Sequence, residues 1–209
     1  QREFRVYSAA PFALAGQRLG LLGGSFDPPH AGHLHITKQA LKRFQLDRVW
    51  WMVTPGNPLK TRGPAQIGRR VKACLDLVDD PRIVVTDIET RLGTRYTAAT
   101  LQALLARYGG VRFVWLMGSD SLADFHQWKD WDKILKTVPV GVLARPGQQL
   151  AAGGSRAARR FARYRIPSRR AAAWRFRKAP AWCLLNGPMV EMSSTEIRAQ
   201  GDGVVEEKD

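Results

Sequence analysis

The chain has 209 residues, 44% of them apolar and 24% charged, with 19 Gly and 12 Pro. This balance excludes collagenous, disordered and coiled-coil chains and predicts one globular domain with a substantial core. Its 33 Lys and Arg against 18 Asp and Glu give a formal charge of +15, but 11 of the basic residues and no acidic one lie between Arg145 and Lys178, so the rest is nearly balanced. The longest apolar stretches, Ala9 to Gly16 and Val111 to Gly118, are far shorter than the roughly 20 residues that cross a bilayer, and no membrane partner is expected.

Cys74 and Cys183 are the only cysteines, too few for a disulfide framework or a structural zinc site, so a reducing cytoplasm is the expected setting. Residues 1–17 show no periodicity and are expected to form a mobile N-terminal arm before a domain spanning 18–209. From Leu19 onward, short apolar runs recur at Leu19 to Gly23, Val49 to Thr54, Ile83 to Thr86, Val111 to Met117, Val138 to Leu143 and Trp182 to Leu185. Runs of this kind fit strands covered on both faces. Between them, spacing near 3.6 residues predicts helices over Gly32 to Phe44, Gln66 to Val78, Thr97 to Tyr108 and, more weakly, Ser121 to Leu135. The alternation predicts an α/β fold: a doubly wound, Rossmann-like parallel sheet with helices on both faces, in a single domain. Residues 147–178, rich in Ala, Gly and Arg, read as an exposed basic insertion with a short helix through Arg156 to Tyr164.

The turn after the first strand reads Gly23-Gly24-Ser25-Phe26-Asp27-Pro28-Pro29-His30-Ala31-Gly32-His33. Glycines let backbone approach an anion, and a helix opening near Gly32 presents unpaired N–H groups, so phosphate is the expected ligand. Neither the Walker lysine loop nor the dinucleotide fingerprint is present. His30 and His33, three residues apart, would share one helix face and donate to phosphoryl oxygens. A metal pair drawn from His30, His33 and His35 is the competing reading, but no carboxylate or cysteine completes it nearby.

This turn resembles the GxFxPxHxGH motif of the nucleotidyltransferase superfamily. Ser193-Ser194-Thr195-Glu196-Ile197-Arg198, at the other end of the chain, resembles that superfamily's second phosphate-binding element. Arg95-Tyr96-Thr97, Gly118-Ser119-Asp120-Ser121-Leu122 and Phe125-His126-Gln127-Trp128-Lys129 are together similar to the bacterial nicotinate-nucleotide adenylyltransferases. The resemblance implies adenylyl transfer from ATP to nicotinate mononucleotide, with Mg²⁺ carried on the ATP phosphates and no metal held by protein side chains. It also implies that His33, His30 and Arg198 act on the reacting phosphates, with Gly23, Gly24, Ser25, Phe26, Gly32, Gly118, Asp120, Ser194 and Thr195 completing the ATP site. In the same family pattern, Trp128 stacks on the pyridine ring, backbone near Thr97 and Lys129 receives the nicotinate carboxylate, and Asn57 and Lys60 hold the acceptor's 5′-phosphate. Arg145 is a weaker phosphate candidate, Asp120 could instead cap the helix that follows it, and Trp131 is expected to be packing. Transfer to nicotinamide mononucleotide or phosphopantetheine is the nearest competing reading. Nucleic-acid binding through the basic insertion is a more distant one, and a homo-oligomer is compatible with the sequence.

Overall fold

The structure, a computed structural model, describes residues 7–56, 65–144 and 153–185. The apolar runs become β1 (Arg18–Gly24), β2 (Arg48–Val53), β3 (Ile83–Thr86), β4 (Arg112–Gly118), β5 (Val140–Leu143) and β6 (Trp182–Leu185), paired in parallel in the order β3-β2-β1-β4-β5-β6. Leu21 of β1 stands opposite Trp50 of β2 on one side and Trp115 of β4 on the other. The helices are α1 (Ala31–Arg43), α2 (Ile67–Leu77), α3 (Ile88–Leu92), α4 (Thr97–Arg107), α5 (Ser119–Asp124), α6 (Trp131–Thr137) and α7 (Arg156–Arg160).

The sheet is buried on both faces because its strands alternate between two cores. Trp50 and Met52 of β2 pack with α3, α4, α5, α6 and α7 in one cluster, which includes Ile88, Leu101, Leu122, Ile134 and Ala157. Val49, Trp51 and Val53 of the same strand pack with Ile36, Ala40 and Phe44 of α1 and Cys74 of α2 in the other. Two faces covered by helices are what near-continuous apolar strands require. The layers meet closely at Gly141 of β5, where a methyl group would lie 2.5 Å from the Phe44 ring.

Four expectations change. The single helix foreseen over Ser121 to Leu135 is two, α5 and α6, separated by a 3₁₀ turn at Phe125–Gln127. The chain breaks there because Trp128 is extended and Asp130 is left-handed, with φ 56°. Leu122, Phe125, Ile134 and Leu135 are all buried, which is why one apolar period seemed to run through. Secondly, the arm expected to be mobile over 1–17 is held from Tyr7 onward: Tyr7 bridges Val85, its hydroxyl donates to Asp87 at 2.8 Å, and the Gly16 N–H donates to the Gly110 carbonyl at 2.8 Å. Thirdly, α3 was not foreseen, since five residues are too few to show a period. Finally, the described part of the basic segment belongs to the fold. Ala157, Ala158 and Phe161 lie in one core cluster and Ile166 and Ala171 in the other, and the Trp182 indole donates to the Phe161 carbonyl at 2.8 Å.

Candidate active site

The strand order reverses between β1 and β4, so their carboxyl ends open the crevice where doubly wound folds bind ligands. β1 ends in Gly23 and Gly24. A methyl group on Gly23 would come within 2.7 Å of the Trp115 ring of β4, so only glycine lets the two strands close at this point. The chain then turns through Phe26, buried and left-handed at φ 48°, and the cis Asp27-Pro28 bond into α1.

His30 is the N-cap of α1, and its Nδ1 accepts the Gly32 N–H at 3.1 Å. His33 closes the reciprocal bond, its Nδ1 accepting the His30 N–H at 3.3 Å. A ring nitrogen that accepts carries no proton, so each neutral imidazole keeps its proton on Nε2 and offers a donor there. The two rings lie 4.0 Å apart, with Phe26 4.8 Å from His33 and stacked 5.0 Å from Trp51. One turn further on, Thr37 donates to the His33 carbonyl at 2.8 Å and receives the Trp51 indole N–H at 2.7 Å. The imidazoles are thus fixed by backbone on one side and aromatic packing on the other, at the positive end of a 13-residue helix. His35 is half-buried two residues past the pair, and among the described residues no three His, Cys, Asp or Glu gather as a metal site.

Next to this turn lies a cavity of about 410 Å³, bordered by Gly23 and Gly24, Thr54 and Gly56 after β2, Thr97 at the start of α4, and Trp128 with Lys129. Half-buried Trp128 stands edge-on to Phe125 at 5.2 Å and to Trp115 at 6.2 Å. Lys129 Nζ sits 4.6 Å from the centre of the Tyr96 ring, and both residues border the cavity. Tyr96, the N-cap of α4, makes no side-chain capping bond to its first turn. Trp131 packs against Phe125 and Phe161 at 6.1 and 5.9 Å, as expected of a packing residue. Gly118 is the N-cap of α5 and Asp120 lies inside the first turn, so Asp120 does not cap this helix as its alternative reading had it.

Five of the expected residues, Gly23, Gly24, Thr97, Trp128 and Lys129, therefore meet at one cavity. Ser25, Phe26, His30, Gly32 and His33 form the turn that continues from it, and Gly118 and Asp120 stand at the end of β4, the neighbouring strand. Asn57, Lys60, Arg145, Ser194, Thr195 and Arg198 lie outside the described residues.

Two residues not foreseen join the site. Arg70 of α2 is buried, and its guanidinium donates to three carbonyls: Nε to Ala65 at 2.7 Å, and Nη1 to Ser25 at 2.7 Å and to Thr54 at 2.8 Å. Burial lowers its pKa, partly offset by the nearby Asp27 carboxylate. Its four-residue spacing from buried Cys74 puts it on the inward face of α2, a signal the sequence held. Glu89 of α3 borders the cavity while being only 4% exposed, and burial pushes its carboxyl up to about 7, with the Thr100 hydrogen bond pulling the other way.

The profile of the cytidylyltransferase-like family matches residues 21–200, and the chain belongs to that class of proteins. Within the class, it is 59% identical over 191 residues to a probable nicotinate-nucleotide adenylyltransferase of Ruegeria pomeroyi, covering 91% of this chain and 90% of the relative. It is 63% identical over 183 residues to the protein of the same description from Cereibacter sphaeroides ATCC 17025, covering 88% and 97%. The chain is therefore a member of the nicotinate-nucleotide adenylyltransferase family. Its fold matches that of the Plasmodium falciparum nicotinic acid mononucleotide adenylyltransferase complexed with NaAD, with TM-score 0.66 and 17% identity over 88% of this chain and 83% of that one.

Proposed function

We propose that the protein transfers the adenylyl group of ATP to nicotinate mononucleotide, giving deamido-NAD and pyrophosphate, a step in NAD biosynthesis. The observation that carries this reading is the pairing of two backbone-anchored imidazoles at the start of α1 with an aromatic-walled cavity at the β1/β4 crevice. The family membership supports the same reaction.

A phosphate oxygen of the acceptor attacks the α-phosphorus of ATP as the bond to the β-phosphate oxygen breaks, and pyrophosphate leaves. The acceptor phosphate is already an anion at pH 7, so the protein aligns it and offsets growing charge rather than removing a proton. His33 Nε2–H donates to the α-phosphate in the transition state and His30 to the flanking phosphates. Gly23, Gly24, Ser25, Phe26 and Gly32 let backbone approach the triphosphate, and Gly118 and Asp120 receive the ribose. Ser194, Thr195 and Arg198 complete the phosphate cradle, and Asn57 and Lys60 hold the acceptor's 5′-phosphate. Trp128 stacks on the electron-poor ring, while the carboxylate takes N–H donors near Thr97 and Lys129. Mg²⁺ enters with ATP, lowering the charge of its phosphates. A cytoplasmic setting fits the two buried, unbridged thiols, Cys74 and Cys183, whose pKa values burial raises to about 12 and about 11.

Pyrophosphate release from ATP is the deciding measurement, with nicotinate mononucleotide and its amide compared at equal concentrations. Release is expected with the acid and to be at least about tenfold slower with the amide, which leaves the carboxylate's donors poorly matched. No release with nicotinate mononucleotide would refute the reading.

A further inference from the structure

Glu89 borders the cavity and is tied to its rim by a short chain of hydroxyls. Its Oε1 accepts the Thr100 hydroxyl at 2.9 Å, and Thr100 Oγ1 lies 2.9 Å from Thr94 Oγ1 and 3.3 Å from the Tyr96 carbonyl. The Glu89 carbonyl also accepts the Thr94 N–H at 3.1 Å. One side chain and its own backbone thus hold Thr94 twice, at its N–H and through Thr100 at its hydroxyl, at the head of the turn that delivers Tyr96 and Thr97 to the cavity and opens α4.

We propose that Glu89 is a positioning residue for the ring end of the acceptor: through Thr100 and Thr94 it fixes the turn that presents the first N–H groups of α4. This rests on the acceptor reading above. Buried polar groups that are fully bonded specify one local arrangement, and an anion-binding helix start is useful only when its N–H groups converge on one point.

Glu89 also faces the ligand with a charge that changes. Beside Ile88 of α3 lie Trp50 and Met52 of β2 and Ala98 and Leu101 of α4, and the buried α4 group that faces the carboxyl is the neutral Thr100 hydroxyl. Arg91 on its own helix is exposed, Asp87 receives the Tyr7 hydroxyl, and Arg95 and Lys129 border the same cavity. With its carboxyl raised to about 7 by burial, Glu89 is mostly neutral at pH 6 and mostly ionised at pH 8. Ionisation places a negative charge beside a site for a carboxylate, so acceptor affinity falls as pH rises.

The test is steady-state kinetics of wild type, Glu89→Ala, Glu89→Gln and Thr100→Val at pH 6 and pH 8, with thermal melts to confirm folding. Glu89→Ala and Thr100→Val are expected to raise the KM for nicotinate mononucleotide about tenfold, with kcat and the KM for ATP within about twofold, the pattern of lost ground-state binding. Glu89→Gln, whose amide oxygen still accepts from Thr100, is expected to restore that KM at pH 6. The ratio of wild-type to Glu89→Gln KM should then rise several-fold between pH 6 and pH 8, a comparison that cancels the ligand's own titration. A folded Glu89→Ala enzyme with an unchanged acceptor KM, or a ratio that does not move with pH, would overturn the proposal. A wild-type enzyme that does not use nicotinate mononucleotide would instead sink the acceptor reading itself.

Discussion

At the scale of single residues, the histidines show how local geometry selects chemistry. Each Nδ1 is occupied by a backbone N–H, so the donor each ring presents is fixed before any ligand arrives. No reorganisation is needed when charge builds on the transferred group, and that is where a preorganised donor has its greatest effect. Replacing His33 by Ala is therefore expected to lower kcat by roughly 10²–10³-fold or more. The same change removes one half of the reciprocal cap, which is worth about 1 kcal/mol of stability, so rapid-quench turnover at saturating substrates should be read beside a denaturant titration. An unchanged kcat in the folded variant would remove His33 from the reaction. The spacing of His30 and His33 was legible in the sequence because a helix start has a fixed geometry. Glu89 was not, because nothing in Asp87-Ile88-Glu89-Thr90 marks a helix of five residues, and its partners come from further on, Thr94 from the connection and Thr100 from α4.

At the scale of elements, loops that leave neighbouring strands must be held at a set distance, and Arg70 does this. It joins the carbonyl of Ser25 after β1, the carbonyl of Thr54 after β2 and that of Ala65 before α2, so the turn after β1 and the loop after β2 share one buried cation. Arg70→Ala leaves three carbonyls without that donor and a void beneath them. A loss of about 3–5 kcal/mol is expected by urea unfolding, with the KM values for both substrates rising together in whatever folds. Lysine, with a single point charge in place of a planar fork, is expected to recover little of this. A destabilisation below about 1 kcal/mol would show that the loops are tied elsewhere. The strands themselves were readable because both faces are buried and each is an unbroken apolar run. The break between α5 and α6 was not readable, because apolar residues recur every third position across it, at Leu122, Phe125, Trp128, Trp131 and Ile134, while the extended Trp128 and the left-handed Asp130 that interrupt the helix carry no sequence mark. That break brings Trp128 and Lys129 to the cavity wall, so the least predictable backbone in this region carries part of the site.

At the scale of the whole molecule, the charge distribution sets how anionic substrates arrive. Composition alone suggested an exposed basic insertion, but alanines and a phenylalanine spaced between the arginines are buried: Ala157, Ala158 and Phe161 fill one core while Arg156, Arg159, Arg160 and Arg163 stay exposed. Phe161 lies 5.9 Å from Trp131, three residues past Trp128, so these arginines stand on α7 and the 3₁₀ turn that follows it, packed beside the cavity's own elements. Among the described residues, ion pairs join Arg18, Lys38, Arg82, Lys133 and Lys136 to aspartates, and none of these includes an arginine of this segment. A positive field close to a cleft raises the encounter rate of anions and fades once salt shortens the Debye length to about 8 Å or less. Excising the segment would open both cores, so the informative variant is Arg159→Gln with Arg160→Gln and Arg163→Gln, which keeps the long stems and removes three charges. At about 20 mM salt its kcat/KM for ATP and for nicotinate mononucleotide is expected to be several-fold below wild type with kcat unchanged. At about 300 mM salt the two proteins should converge, because exposed charges are then largely screened. A wild-type kcat/KM that does not depend on salt, or a variant whose deficit persists at high salt, would show that these arginines act by contact or by packing and do not steer.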